Sequence, residues 1–206
     1  MVQVQTQKEQ QYRVFQDTFI DQLQKLRYEG FSVATPSDIT RGRLDGKISW
    51  DRYYDTSGMI AYPGNNESRF KVTPHSQEIL LLEKSTPLYF GGIGITREKY
   101  EDLPWPEFNR AQDVGVHLQE YQAKRSNLWA IMMPDENLRL NYIGEVFYRK
   151  SIRSIRENVQ AMGFLIRNPQ ERPSIRVFYL DNLEGKSALC DFYGFDESAR
   201  LVGVKK

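Results

Sequence analysis

The feature that most constrains the fold is a helical pattern that runs from about Asn141 to Met162. Its apolar residues recur at steps of three and four, the period of a helix with one apolar face. They are Tyr148, Ile152, Ile155, Val159 and Met162. Arginines at positions 149, 153 and 156 fall on another face. The pattern therefore predicts one long amphipathic helix.

Apolar runs on both sides of this helix predict the strands of a sheet. "EILLLEK" and "LYFGGIGIT", joined by a short polar link, predict two neighbouring strands, and "NLWAIMMP" predicts another that Pro134 ends. After the helix, "SIRVFYL" and "ARLVGVKK" predict two more strands. Between them, "LEGKSALCDFYGF" predicts a short helix that ends at Gly194. This order indicates an α/β (α+β) protein with a mixed central sheet around the long helix.

The N-terminal part has a different character. Apolar residues at helical spacing predict a helix from Gln7 to about Glu29, which Gly30 would end. Residues 34–77 are rich in Gly, Pro, Ser, Asp and Asn, which indicates an irregular segment that is either functional or an interaction surface. We therefore predict two parts, an N-terminal helix with an irregular lid or interface segment over 1–77 and an α/β core over 78–206.

Composition excludes several functional classes. The 28 basic and 27 acidic residues leave a net charge of +1, which provides no general attraction to nucleic acid or to an anionic membrane. Cys190 is the single cysteine, so no internal disulfide can form. The polar N-terminus lacks the apolar core of a signal peptide, and no apolar run is long enough to span a membrane. These features predict a cytoplasmic protein without membrane partners.

Four local segments resemble the GCN5-related N-acetyltransferase (GNAT) fold. They are "EILLLEKSTPLYFGGIGIT", "AIMMPD", "RLNYIG" and "DNLEGKSALCDFYGF", which are similar to the family's hairpin, its strand before the cofactor loop, the loop itself and the late strand–helix segment. In "RLNYIG", Arg139 and Gly144 match the loop motif, and Tyr142 stands where the motif has its first glycine. The resemblance implies a GNAT-like fold over residues 78–206 with acetyl-coenzyme A (acetyl-CoA) as cofactor.

The resemblance also implies a set of site residues. Arg139, Asn141, Ile143 and Gly144 would form the pyrophosphate loop, where a helix N-terminus and a glycine favour an anion. Backbone groups of Met132 and Met133 would contact the pantetheine arm.

For catalysis, the same resemblance assigns Glu120 as the general base and Tyr193 as the general acid. The implied reaction is direct transfer of an acyl group from coenzyme A to an amine, and the sequence does not identify the amine.

A second hypothesis is a non-catalytic assembly or adaptor protein with a similar α/β fold, for example a component of a phage particle. It rests on the aromatic content of residues 34–77, where Trp50, Tyr53, Tyr54 and Tyr62 are residue types that favour protein interfaces. These aromatic residues predict a protein partner that binds through residues 34–77.

Other patterns have structural interpretations that we prefer. Asp113, His117 and Glu120 would lie on one side of a helix, and we expect a solvated face there rather than a metal site. Cys190 is expected to be a buried thiol rather than a nucleophile. "SIRSIRENVQ" is expected to be a solvated helix face rather than a nucleic-acid surface, and Gly42 weakens a helix-turn-helix interpretation of the segment around it.

Overall fold

The computed structural model describes residues 10–76, 79, 82–83, 85–89, 91–110, 117–153, 159–168, 170–184, 187–191, 195 and 198–205. These residues form eleven strands and six helices. The strands are β1 (Gln11–Thr18), β2 (Ser32–Val33), β3 (Tyr54–Tyr62), β4 (Arg69–Thr73), β5 (Leu88–Tyr89), β6 (Gly92–Gly94), β7 (Glu107–Asn109), β8 (Phe164–Leu165), β9 (Ser174–Leu180), β10 (Leu189–Cys190) and β11 (Ser198–Lys205). The helices are α1 (Phe19–Tyr28), α2 (Pro36–Leu44), α3 (Arg97–Asp102), α4 (Glu120–Arg125), α5 (Asn127–Met132) and α6 (Glu136–Arg153).

One mixed sheet contains all of these strands, in the main order β1-β11-β3-β9-β10-β8. β1 pairs antiparallel with β11 over its full length, from Gln11 opposite Lys205 to Thr18 opposite Ser198. β11 and β3 run parallel, and β3 pairs antiparallel with β9. The predicted mixed α and β architecture is therefore confirmed. The sheet joins both ends of the described chain, so the predicted boundary at residue 77 divides strands that lie in one sheet.

Each face of the sheet carries its own hydrophobic core, because neighbouring residues of the central strands point to opposite faces. In β3, Met59 and Ala61 belong to the core under α1 and α3. Ile60 and Tyr62 belong to the core that also contains residues of α4, α5 and α6. The second core holds the buried face of α6.

The predicted N-terminal helix is only partly observed. Residues 11–18 form β1, and the helix begins at Phe19. The side chain of buried Gln22 explains how the two elements are joined. Its amide nitrogen donates to the carbonyls of Asp17 and Ala199 (2.5 and 2.9 Å), and its amide oxygen accepts from the backbone N–H of Leu201 (3.0 Å). Pairing with β11 outweighs the local helical spacing of this segment.

Residues 34–76 contain regular secondary structure, and most of the aromatic side chains predicted there as an interface do not form an interaction surface. The segment holds α2, β3 and β4. Trp50, Tyr54 and Tyr62 are all less than 9% exposed and belong to the hydrophobic core. A capping box between Thr35 and Asp38 begins α2 at the Ser/Thr/Asp-rich turn. The protein-partner prediction for this segment therefore loses most of the side chains on which it rested.

Two further predictions of secondary structure were wrong. "NLWAIMMP" is not a strand, because residues 127–132 form α5 with Ser126 as its N-cap. Leu189 and Cys190 form a short strand where a helix was predicted. In contrast, the strand predicted over "SIRVFYL" is β9 and that over "ARLVGVKK" overlaps β11.

The first of the two neighbouring strands predicted over residues 78–96 lies mostly outside the described residues. The second segment folds as the short hairpin of β5 and β6. Among the described residues, no helix combines the length and apolar character needed to cross a membrane.

Candidate functional site

The long helix α6 exposes the two apolar residues that its sequence period would place in a core. Tyr148 and Ile152 are 61% and 66% exposed, and they lie one turn apart on the helix. The buried face instead consists of Leu138, Tyr142, Ile143, Val146 and Phe147. The helix ends at Arg153 among the described residues, and Val159 lies beyond it in non-helical chain.

A groove with a volume of about 490 Å³ lies beside Tyr148, between α4 and α6. Gln119 and Glu120 form its α4 side, and Val159 closes it at another side. The α6 side consists of Gly144, Phe147, Tyr148 and Ser151. The lining therefore combines apolar surface with amide, carboxylate and hydroxyl groups.

Gly144 contributes to the open space of this groove because it has no side chain. A Cβ built at Gly144 would meet no atom within 4 Å, so the helix surface there faces empty space rather than a packed neighbour. The residue belongs to the regular interior of α6 and has no positive φ. Its role in the structure is thus to widen the space between α4 and α6.

The walls of the groove are held in place by the surrounding chain. Leu118 and Ala161 form an antiparallel bridge, with N–H···O distances of 3.0 and 2.9 Å in the two directions. The buried indole of Trp129 donates to the carbonyl of Met162 at 2.6 Å. Met162 itself has a φ of 56°, an uncommon conformation for a bulky side chain. These contacts position the start of α4 and the segment around Val159 against each other.

A cluster of aromatic and basic side chains fixes the opposite side of α6. Tyr142 stacks on Trp50 with a centroid distance of 5.2 Å, and its hydroxyl accepts from the buried guanidinium of Arg43 at 2.7 Å. Arg149 covers the Trp50 ring at 4.7 Å and pairs with Glu145 at 2.6 Å. Tyr142 and Arg149 thus attach this side of α6 to Trp50 and to Arg43 of α2.

The residues predicted for a cofactor loop lie inside helices. They lie within α6 and not in a loop before it. These residues are Arg139, Asn141, Ile143 and Gly144. Asp135 caps this helix, since its carboxylate accepts from the N–H of Leu138 at 3.0 Å.

The other predicted side chains are largely buried. Met132 and Met133 are fully buried, and the Met133 carbonyl accepts from the guanidinium of Arg139 at 3.1 Å. Ile143 is buried and Asn141 is exposed.

Two of the predicted site residues do come together. Glu120, the proposed base, and Gly144 line the same groove, and Glu120 pairs with Lys124 at 2.6 Å. Tyr193, the proposed acid, lies outside the described residues. Sequence analysis missed Tyr148, Ile152 and Val159 as surface candidates, and it missed Phe147 as a residue of the groove wall.

Several groups with shifted pKa values lie in the core rather than at this groove. Burial raises the pKa of the Asp191 carboxyl, which accepts from the hydroxyl of Tyr62 at 2.6 Å and lies 3.8 Å from buried Arg176. Burial, together with Asp191, raises the pKa of Tyr62 well above its usual value. Burial also raises the pKa of the Cys190 thiol, which fits the predicted structural role of this cysteine. Within the described part of the chain, no three His, Cys, Asp or Glu side chains are grouped as metal ligands would be.

Comparison with known proteins identifies the fold. No family model matches the chain, and no curated protein matches it in sequence. A solved structure from work on how the C-type lectin fold accommodates massive sequence variation in Nanoarchaeota superposes with a TM-score of 0.72. The superposition covers 96% of this chain and 99% of the other, at 11% sequence identity. The chain therefore has a fold like that of a C-type lectin.

This finding overturns the GNAT resemblance. The likeness to the C-type lectin fold extends over nearly the whole chain, including the N-terminal residues that the resemblance left out. The predicted acyl-CoA-dependent N-acetyltransferase activity was wrong, as were the function terms that followed from it. No comparison tests the predicted binding of acetyl-CoA. The predicted roles of Glu120 as base, of Tyr193 as acid and of the loop residues in binding pyrophosphate also remain predictions.

Proposed function

We propose that this chain is a non-catalytic adaptor or assembly protein that binds a partner protein in the groove between α4 and α6. The observation that carries the proposal is the exposure of Tyr148 and Ile152 beside an open groove of about 490 Å³. The partner segment would insert an aromatic or large aliphatic side chain into the groove.

The composition of the groove suits a protein partner. Phe147, Tyr148 and Val159 provide apolar contact, while Gln119 and Ser151 provide polar groups. Protein interfaces have an apolar centre and a polar rim, and they are enriched in aromatic residues. The groove volume lies within the range of roughly 300–1,000 Å³ that is typical of binding pockets. One anchoring side chain of a partner fits a space of this size.

The exposed pair would supply much of the affinity. Tyrosine has a large apolar ring and a polar hydroxyl, so it can lie in water in the free protein and in a contact once bound. Full burial of one large apolar side chain contributes about 1.5–3 kcal/mol. Tyr148 and Ile152 are 61% and 66% exposed, so most of this burial free energy would be gained only when a partner covers them.

The groove is formed before any partner binds. α6 is attached to the core through the stack of Tyr142 on Trp50, and Arg153 reaches Asp51 at 3.5 Å. A surface on a fixed helix loses little conformational freedom on binding, which favours affinity.

Selection from a displayed library of random peptides tests the proposal. The wild-type chain is the target, and Gly144→Leu is the matched counter-target because a leucine would fill the groove without meeting a neighbouring atom within 4 Å of its Cβ. We expect peptides with an aromatic or large aliphatic anchor that bind the wild type and lose binding to Gly144→Leu and to Tyr148→Ala.

Tyr28→Ala is the control variant, because Tyr28 lies on α1 and is 94% exposed. It should bind the selected peptides as the wild type does. If no peptide is enriched, or if the enriched peptides bind Gly144→Leu as well as the wild type, the groove is not the binding site.

A further inference from the structure

In the part of the chain that the structure describes, the strand β1 has an open outer edge. It lies at one end of the sheet, and among the described residues β11 is its partner strand. Alternate residues of such a strand direct their N–H and C=O groups away from the sheet. Phe15 is the one buried residue of the eight, at 7% exposure, so both faces of the strand are largely accessible.

We propose that this edge binds the same edge of a second copy of the chain. The two β1 strands would pair antiparallel about a two-fold axis at Phe15, which adds one sheet to the other. Edge-to-edge pairing of this kind gives a self-complementary contact between two identical surfaces.

Charge determines the register of this pairing. When Phe15 faces Phe15 of the second copy, Arg13 faces Asp17 of that copy, and the pair occurs twice because of the symmetry. Within its own chain Arg13 pairs with Glu29, and Asp17 pairs with Lys25 at 3.0 Å. The dimer would thus contain two symmetry-related rows of four charges with alternating sign. In each row, Glu29 and Arg13 come from one copy, and Asp17 and Lys25 come from the other.

The charged residues of β1 are Arg13 and Asp17, and the proposed register pairs them with each other. Edges are commonly protected by lysine or proline, and the sequence of β1, QYRVFQDT, contains neither. In the proposed register Val14, which is 47% exposed, lies opposite Gln16 of the second copy, and Tyr12 lies opposite Thr18. Every charged residue of the strand therefore meets an opposite charge, and no like charges face each other.

Sedimentation velocity over a range of protein concentrations tests the proposal. The wild-type chain should form a dimer as its concentration rises. Val14→Lys should remain monomeric at the same concentrations, because the new charge has no partner at the edge. Tyr28→Lys carries the same added charge on an exposed residue of α1 and should dimerise as the wild type does. A chain that stays monomeric, or a dimer that Val14→Lys leaves unchanged, would overturn the proposal.

The register is tested by a double-mutant cycle. Arg13→Ala and Asp17→Ala should each raise the dissociation constant of the dimer by about 2- to 30-fold, since two cross-strand pairs are lost. The double variant should be little worse than either single variant, because both changes remove the same pairs. Additive effects would exclude this register. Thermal unfolding of each variant shows that the monomer is folded, and the α4–α6 groove contains no residue of β1, so the two proposals fail independently.

Discussion

Tyr142 and Gly144 lie two residues apart in α6 and have opposite surroundings. Tyr142 is fully buried, stacks on Trp50 and accepts a hydrogen bond from Arg43. Gly144 faces the open groove. The two glycine positions of the motif that suggested a phosphate loop are therefore occupied by one core residue and one groove residue of the same helix. Neither role could be inferred from the residue types alone, because both depend on distant segments of the chain.

Replacing Tyr142 with phenylalanine tests its role in the core. The substitution keeps the ring but removes one acceptor of buried Arg43, which donates to the hydroxyl at 2.7 Å and also to the carbonyl of Arg52 at 2.7 Å. We expect a loss of about 1–3 kcal/mol in the free energy of unfolding, because a buried charged donor loses one of its partners. Urea unfolding measures this loss, and Tyr148→Phe on the exposed face should change stability by less than about 0.5 kcal/mol. If the free energy of unfolding of Tyr142→Phe equals that of the wild type, Arg43 has found another acceptor.

Replacing Gly144 with alanine tests the helix interior. Glycine is unfavourable there, and the added Cβ meets nothing within 4 Å. Gly144→Ala should therefore raise the free energy of unfolding by about 0.5–1 kcal/mol. Gly203→Ala is the contrasting variant, because its Cβ would lie 2.8 Å from the Phe15 ring and 2.9 Å from Phe31. If Gly144→Ala is destabilising in urea unfolding, the position is not an ordinary helical site.

At the scale of elements, periodicity located α6 but assigned its exposed residues incorrectly. The predicted helix covered about 141–162, whereas the helix seen in the described residues covers Glu136–Arg153. Apolar residues occur on two faces of this helix, and spacing alone does not tell which face a core will cover. The strand β9 was easier to predict, because all seven of its residues are buried and form a continuous β-rich run.

A network of ion pairs joins β4 to α3 and should be sensitive to acid. Glu67 pairs with Arg97 and with Arg69, at 2.8 Å to the latter. Hydrogen bonds from Arg97 and then Arg69 lower the pKa of Glu67 to about 2. A lowered pKa in the folded state means that this contribution to stability is present above the unfolded value near 4.5 and is lost as the pH falls toward about 2.

Urea unfolding from pH 5 downward, to about pH 2, measures this effect. Glu67→Gln should be less stable than the wild type at the upper end of this range. The difference between the two should shrink as the pH falls, and it should be smaller in high salt because the pairs are partly exposed. Parallel pH profiles for the two proteins would mean that Glu67 does not contribute through its charge.

At the scale of the whole molecule, local patterns were a poor guide to the topology. The mixed sheet and several of its strands could be predicted, but the pairing of β1 with β11 joins residues near opposite ends of the chain. Helical spacing over residues 11–18 did not reveal a strand, because tertiary pairing with β11 decides their conformation. The segment of α5 was predicted as a strand for a different reason. Short apolar runs fit either element until their neighbours are known.

The groove between α4 and α6 is proposed to bind a protein segment. Hydrogen exchange of the chain, with and without a peptide selected as described above, tests it most directly. We predict slower exchange in residues 117–125 and 136–153, with the larger change in α4, because a helix of six residues opens easily on its own. Protection of β1 instead, or no change in α4 and α6 at saturating peptide, would contradict the claim.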